Sequence, residues 1–137
     1  GKHYITNSTK LSGTFSNSAA TNSSLKAYFL IDNDGVDIKL LEYESMVVKT
    51  GLSEKYDIKL KYGATYTIDL EAVNYSDRLT LTDSSAMYMH SILEDEGNLK
   101  FYIVEKNDGY TTPSSYKFEL NAKGFNDILN KFNSLYE

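Results

Sequence analysis

From Leu25 onward apolar and polar residues alternate with a period of two, interrupted by two stretches in which apolar positions recur every three to four residues. LKAYFLI (25–31) is a continuous apolar run, too short for a helix and bounded by Asp32-Asn33-Asp34-Gly35; it predicts a strand buried on both faces. In VDIKLLEY, Val36, Ile38 and Leu40 alternate with Asp37 and Lys39, which makes Asp34-Gly35 the expected tip of a β-hairpin. The alternation is cleanest in YDIKLKY, where Tyr56, Ile58, Leu60 and Tyr62 share one face and Asp57, Lys59 and Lys61 the other. After Gly63-Ala64 the stripe resumes with Tyr66, Ile68, Leu70 and Ala72 opposite Thr67, Asp69 and Glu71. This second hairpin has a pinned register, because a slip of one residue would expose both stripes.

Leu79 and Leu81 predict a short strand, after which the period changes. Asp83 is placed to cap a helix carrying Ala86, Met89, Ile92 and Leu93 on one side, and Gly97 to stop it. Glu94, Asp95 and Glu96 oppose the dipole at that helix's C-terminal end. LKFYIVE (99–105) returns to strand texture, a long turn follows with the only proline, Pro113, and YKFEL alternates Tyr116, Phe118 and Leu120 against Lys117 and Glu119. Phe125, Ile128, Leu129, Phe132 and Leu135 then recur at helical spacing. The expected fold is mainly β: an antiparallel β-sandwich of about eight strands, with a short helix near 84–95 and a C-terminal amphipathic helix near 123–136 packed on its edge or face.

A length of 137 residues, 41% hydrophobic and 24% charged, fits one globular domain with a sizeable core. The chain has no cysteine, which excludes disulfides, thiol catalysis and cysteine-type zinc sites. A net charge of −5 argues against nucleic acid as a partner, since that affinity rests on Lys and Arg neutralising phosphates. No stretch approaches the roughly 20 apolar residues of a membrane span. The leading Gly1 reads as the remnant of a removed tag, and Thr6 to Ser24 is dominated by Ser, Thr and Asn. Residues 1–10 are therefore expected to be a polar tether and 11–137 the single domain. A tether ahead of a cysteine-free domain is the pattern of an exported bacterial protein, or of a lipoprotein with its lipid anchor upstream.

The chemistry-bearing residues are sparse. Asp32, Asp34 and Asp37 around Gly35 resemble the start of a calcium loop, but the register puts Leu30 and Leu41 where carboxylates are required, so a plain hairpin tip is expected. His90 is the one histidine outside the tether and has no nucleophile motif near it. The acids at Glu42, Glu44 and 94–96 read as surface solvation, although paired carboxylates are what a glycosidase needs. No catalytic residue, metal site or cofactor is expected. The most unusual feature is 12 Tyr and 6 Phe with no Trp. Most of these rings fall on strand stripes and read as core, while Tyr75, Tyr88 and Tyr110 stand off them. Tyr110 with the adjacent Thr111 and Thr112 is the first candidate contact surface, followed by Tyr88 and Tyr75, since loops on rigid scaffolds carry binding residues.

The order from Thr65 onward, with RLTLTD, the helix SSAMYMHSILEDEG, the strands of LKFYIVEKNDGYTTPSSYKFEL and a terminal KGFNDILNKF, resembles a known family. It is similar to the small β-sandwich domain of bacterial exported proteins of the invasion-associated locus B type and of type VI secretion-associated accessory lipoproteins. The closing pattern matches at Phe118-Glu119-Leu120 and Gly124-Phe125. The resemblance implies an extracytoplasmic, non-catalytic module of the cell envelope and carries over no functional residue. The expected function is a binding or interaction module whose partner is an envelope protein or glycan. The alternative is a carbohydrate-binding module or small glycan-active enzyme using Tyr platforms and acidic residues, and a third reading is a purely structural domain packing on a partner subunit.

Overall fold

A computed structural model describes residues 5–6, 11–31, 35–47, 54–63, 66–75, 77–106 and 113–135. The elements in chain order are β1 (Ile5–Thr6), β2 (Leu11–Ser16), β3 (Ser23–Ile31), β4 (Val36–Glu42), β5 (Met46–Val47), β6 (Lys55–Tyr62), β7 (Tyr66–Asn74), β8 (Leu79–Leu81), α1 (Asp83–Glu94), β9 (Asn98–Glu105), β10 (Ser115–Asn121) and α2 (Phe125–Leu135). Eight strands pair side by side in the order β3-β2-β10-β9-β6-β7-β8-β4, and β4 pairs back onto β3. The sheet is therefore a closed antiparallel barrel, not the expected sandwich of two open sheets. Alternating stripes are common to both architectures; what closes this one is that β2 bridges β3 and β10 while β8 bridges β7 and β4. Closure removes the edge strands of the main sheet, with the short β1 and β5 added beside β3 and β4.

The stripes become the interior. Leu25, Ala27, Phe29 and Ile31 of β3 are buried, but Lys26, Tyr28 and Leu30 between them are only partly covered, so this strand faces the core on one side rather than both. Aromatic rings fill the centre: Phe101 stacks on Phe118 at 4.7 Å between centroids, and Phe29 reaches Phe101 from across the barrel at 5.5 Å. Ile58, Leu60, Ile103 and Ile38 around them have no measurable exposure, so the interior is packed rather than hollow. β2 lies inside the Ser/Thr/Asn-rich stretch, and Gly13 on it allows a close approach to β10. A Cβ there would overlap the Lys117 carbonyl oxygen and stand 2.9 Å from Phe118 Cβ.

One end of the barrel is covered by the helices. α1 leaves β8 and returns to β9 at that end, burying Ala86, Met89, Ile92 and Leu93 as its spacing predicts. Thr82, not Asp83, holds the N-cap position and no side chain caps the helix; Ser85 Oγ accepts the Glu71 N–H at 2.9 Å and ties the first turn to β7. One acid after α1 serves the second helix. Glu96, at φ 53°, accepts the Gly124 N–H and an Asn126 Nδ2–H at 2.8 Å, placing its charge at the favourable N-terminal end of α2. These bonds hold the Glu96 carboxyl below its ordinary pKa. α2 packs through Phe125 and, in part, Leu129, whereas Ile128 is 49% exposed despite its place in the apolar pattern.

Candidate functional site

The outward positions of β6, β9 and β10 are set by the same alternation that fills the core, and their register stacks them in two rows. One row reads Thr14, Lys117, Tyr102, Lys59, Asp69 across β2, β10, β9, β6 and β7; the next reads Glu119, Lys100, Lys61, Thr67. With strands about 4.8 Å apart and alternate residues on one strand about 6.7 Å apart, Lys59, Lys61, Lys100 and Tyr102 form a compact block with Lys117 on its far side. These side chains line a groove of about 630 Å³ on the barrel wall. A second depression of about 430 Å³ shares Lys61 and Lys100 and runs on to Gly63, Gly97 and Asn98 at the rim.

The charges in this groove are compensated only in part: Asp69 lies opposite Lys59 in the register and Glu119 opposite Lys100. Lys100 reaches Glu119 at 3.9 Å through exposed side chains, a contact of small value. Lys117 Nζ stands 5.3 Å from the Tyr102 ring centroid, a cation–π contact. Among the described residues no carboxylate comes within ion-pair distance of Lys59 or Lys61. Lys61 lies directly opposite Lys100, a like-charge cross-strand pair that works against the fold. On a chain of net charge −5, such a cluster is a local reversal of sign. The groove can accept carboxylate, sulfate or phosphate oxygens at several ammonium groups, with hydroxyls of Ser12, Thr14 and Thr67 as further donors.

The opposite end from the helices carries a different constellation. The inward stripes of β4 and β9 end in Glu42 and Glu105, and Glu54 precedes β6 on its inward register. Tyr116 O–H donates to Glu42 at 2.8 Å and Tyr56 O–H lies 3.4 Å from Glu105. Burial, then the adjacent Glu54 carboxyl, raises the Glu105 pKa; burial, then Glu42, pushes the Tyr116 phenol far above its usual range. Glu54 Oε2 is buried and meets no hydrogen-bond partner among the described residues.

Of the residues singled out from the sequence, Tyr110, Thr111 and Thr112 lie outside the described residues. Tyr75 is 54% exposed just beyond β7, at the glutamate end, and Tyr88 is 59% exposed on α1, at the helical end. The structure does not bring these two together. Asp32 and Asp34 lie outside the described residues, and Asp37 is buried against Arg78 at 3.7 Å. Among the described residues no group of three or more potential ligands could hold a metal ion. His90 is half-buried, with its ring 6.5 Å from Phe125. No described helix is long and apolar enough to cross a membrane. The lysines of the groove stood in the sequence as polar positions of the YDIKLKY, LKFYIVE and YKFEL stripes. Their convergence depends on β6 pairing with β9 across two intervening strands and a helix, which no local signal announces. Comparison of the chain with protein-family models, with curated proteins and with solved structures gave no match.

Proposed function

We propose that this domain is a non-catalytic binding module of an exported bacterial protein or lipoprotein, and that it holds an anionic partner of the cell envelope in the lysine-lined groove. The observation that carries this reading is the opposed Lys61–Lys100 pair, flanked by Lys59 and Lys117, on the wall of an otherwise acidic barrel. A cross-strand like-charge pair costs stability, and a bound anion offsets that cost. The packed interior favours the outer wall over the lumen as the place of binding. The extracytoplasmic location draws on the family resemblance alone.

A cation exchanger tests the anion reading directly. An acidic protein with evenly scattered charge passes through a carboxymethyl matrix at neutral pH, whereas this domain is expected to be retarded at low salt and released as salt screens the lysines. The Lys59→Glu/Lys61→Glu variant should pass unretarded. Passage of the unaltered protein without delay would remove the proposal.

A further inference from the structure

We infer that the ligand of this groove is an extended carboxylate-bearing polysaccharide, an inference that rests on the anion-binding reading above. The dimensions come first. The two depressions join at Lys61 and Lys100 and run from Thr14 on β2 to Gly63 and Asn98 at the rim. That is three strand spacings across, about 14 Å, and four residues along β6, about 13 Å, a diagonal close to 19 Å, and far longer than one phosphate or sulfate occupies. The positive charges are distributed along the path rather than gathered at a point, which suits a polymer with a charge on each unit or on every second one.

The walls come next. A peptide docking on a sheet gains most from pairing its backbone with a free edge, but β6, β9 and β10 are each hydrogen-bonded on both sides. Peptide recognition otherwise relies on deep apolar pockets for anchor side chains; here Phe101 and Phe118 lie buried beneath the floor, and the exposed lining is lysine stems, the Tyr102 ring and hydroxyls, with one carboxylate, Glu119, at its side. Methylene stems and a ring edge pack against the C–H faces of sugars while ammonium and hydroxyl groups bind carboxylates and sugar hydroxyls. Nucleic acid fits less well, because Lys117 already stands over the Tyr102 ring on which a base would stack.

Titration of the full chain with oligogalacturonate, polyglutamate, heparin, single-stranded RNA and neutral dextran, read by calorimetry at low salt, separates the outcomes. Saturable binding of oligogalacturonate, no binding of dextran, and a loss of at least tenfold in affinity for Lys59→Ala/Lys61→Ala support the inference. Lys59→Arg and the distant Lys131→Ala should retain affinity, and thermal melts of each variant separate lost binding from lost folding. Equal or tighter binding of polyglutamate overturns the polysaccharide in favour of an acidic peptide, and tighter binding of heparin or RNA overturns it in favour of a dense polyanion. Absence of oligogalacturonate binding by a protein that the cation exchanger still retards refutes this inference alone. Absence of both refutes the anion reading with it.

Discussion

Gly13→Ala should open the barrel where β2 meets β10. The new Cβ overlaps the Lys117 carbonyl oxygen and stands 2.9 Å from Phe118 Cβ and 3.0 Å from the Lys117 carbonyl carbon. Two of these neighbours are backbone and Cβ is rigidly attached to it, so no rotamer change relieves the contact and the strands must part by about an ångström, enough to break ladder hydrogen bonds there. The seam holds only four residue pairs, Ser16–Ser115 to Gly13–Phe118. Overpacking costs about 1–3 kcal/mol and each lost ladder bond about 1 kcal/mol, which places the loss near 3 kcal/mol. At an unfolding entropy of about 0.29 kcal/mol/K for a chain this long, the melting temperature should fall by roughly 10 °C. Circular dichroism melts and urea titration measure it, and amide exchange should show the added opening at β2 and β10 first. Gly97→Ala is the control, because nothing lies within 4 Å of its Cβ; its stability should stay within about 0.5 kcal/mol. If Gly13→Ala melts within about 2 °C of the unaltered protein, the seam is not closed as described.

Tyr116→Phe removes the donor to Glu42 at 2.8 Å and should lower stability by about 1–2 kcal/mol in urea titration. Glu105, whose pKa is raised by burial and by Glu54, binds its proton more tightly in the folded state. Its contribution is therefore full below the ordinary carboxyl range and is lost as pH rises from there through the raised value. Glu105→Gln should flatten that decline and raise the urea midpoint at pH 7–8, and an unchanged pH profile would contradict the burial. Glu96 has the opposite sign: its lowered pKa adds stability above the ordinary value that is lost as pH falls. Glu96→Ala should accordingly destabilise at neutral pH, with amide exchange accelerating first in α2.

The elements were legible wherever one face of a strand or helix is buried. The hairpin of β6 and β7 follows the stripes with Tyr62 opposite Tyr66, and α1 buries the four residues its spacing selects. β2 escaped because its sequence, LSGTFS, has one large apolar residue buried and owes its place to partners on both sides. The closure into a barrel was hidden for a related reason: inward–outward alternation specifies which face is buried, not which strands meet. Tyr66 belongs to the apolar stripe of β7 yet is 64% exposed, because the strand runs beyond the core and its ring stacks on Tyr62 instead. The acids after α1 looked misplaced while only their own helix was in view; Glu96 makes sense once α2 is seen to begin against it. The groove is the extreme case. Each of its lysines is an ordinary solvent-facing strand residue, and only the register across three strands makes them a cluster.

Amide NMR of the labelled chain during titration with oligogalacturonate locates the binding surface residue by residue. Progressive, saturable shifts are expected at Lys59, Lys61, Lys100 and Tyr102 and at their neighbours on β10, with α1 and the Glu42–Glu105 end unmoved. Shifts centred on that glutamate end, or none at all at ligand concentrations that saturate carboxylate binding, would contradict binding in the groove.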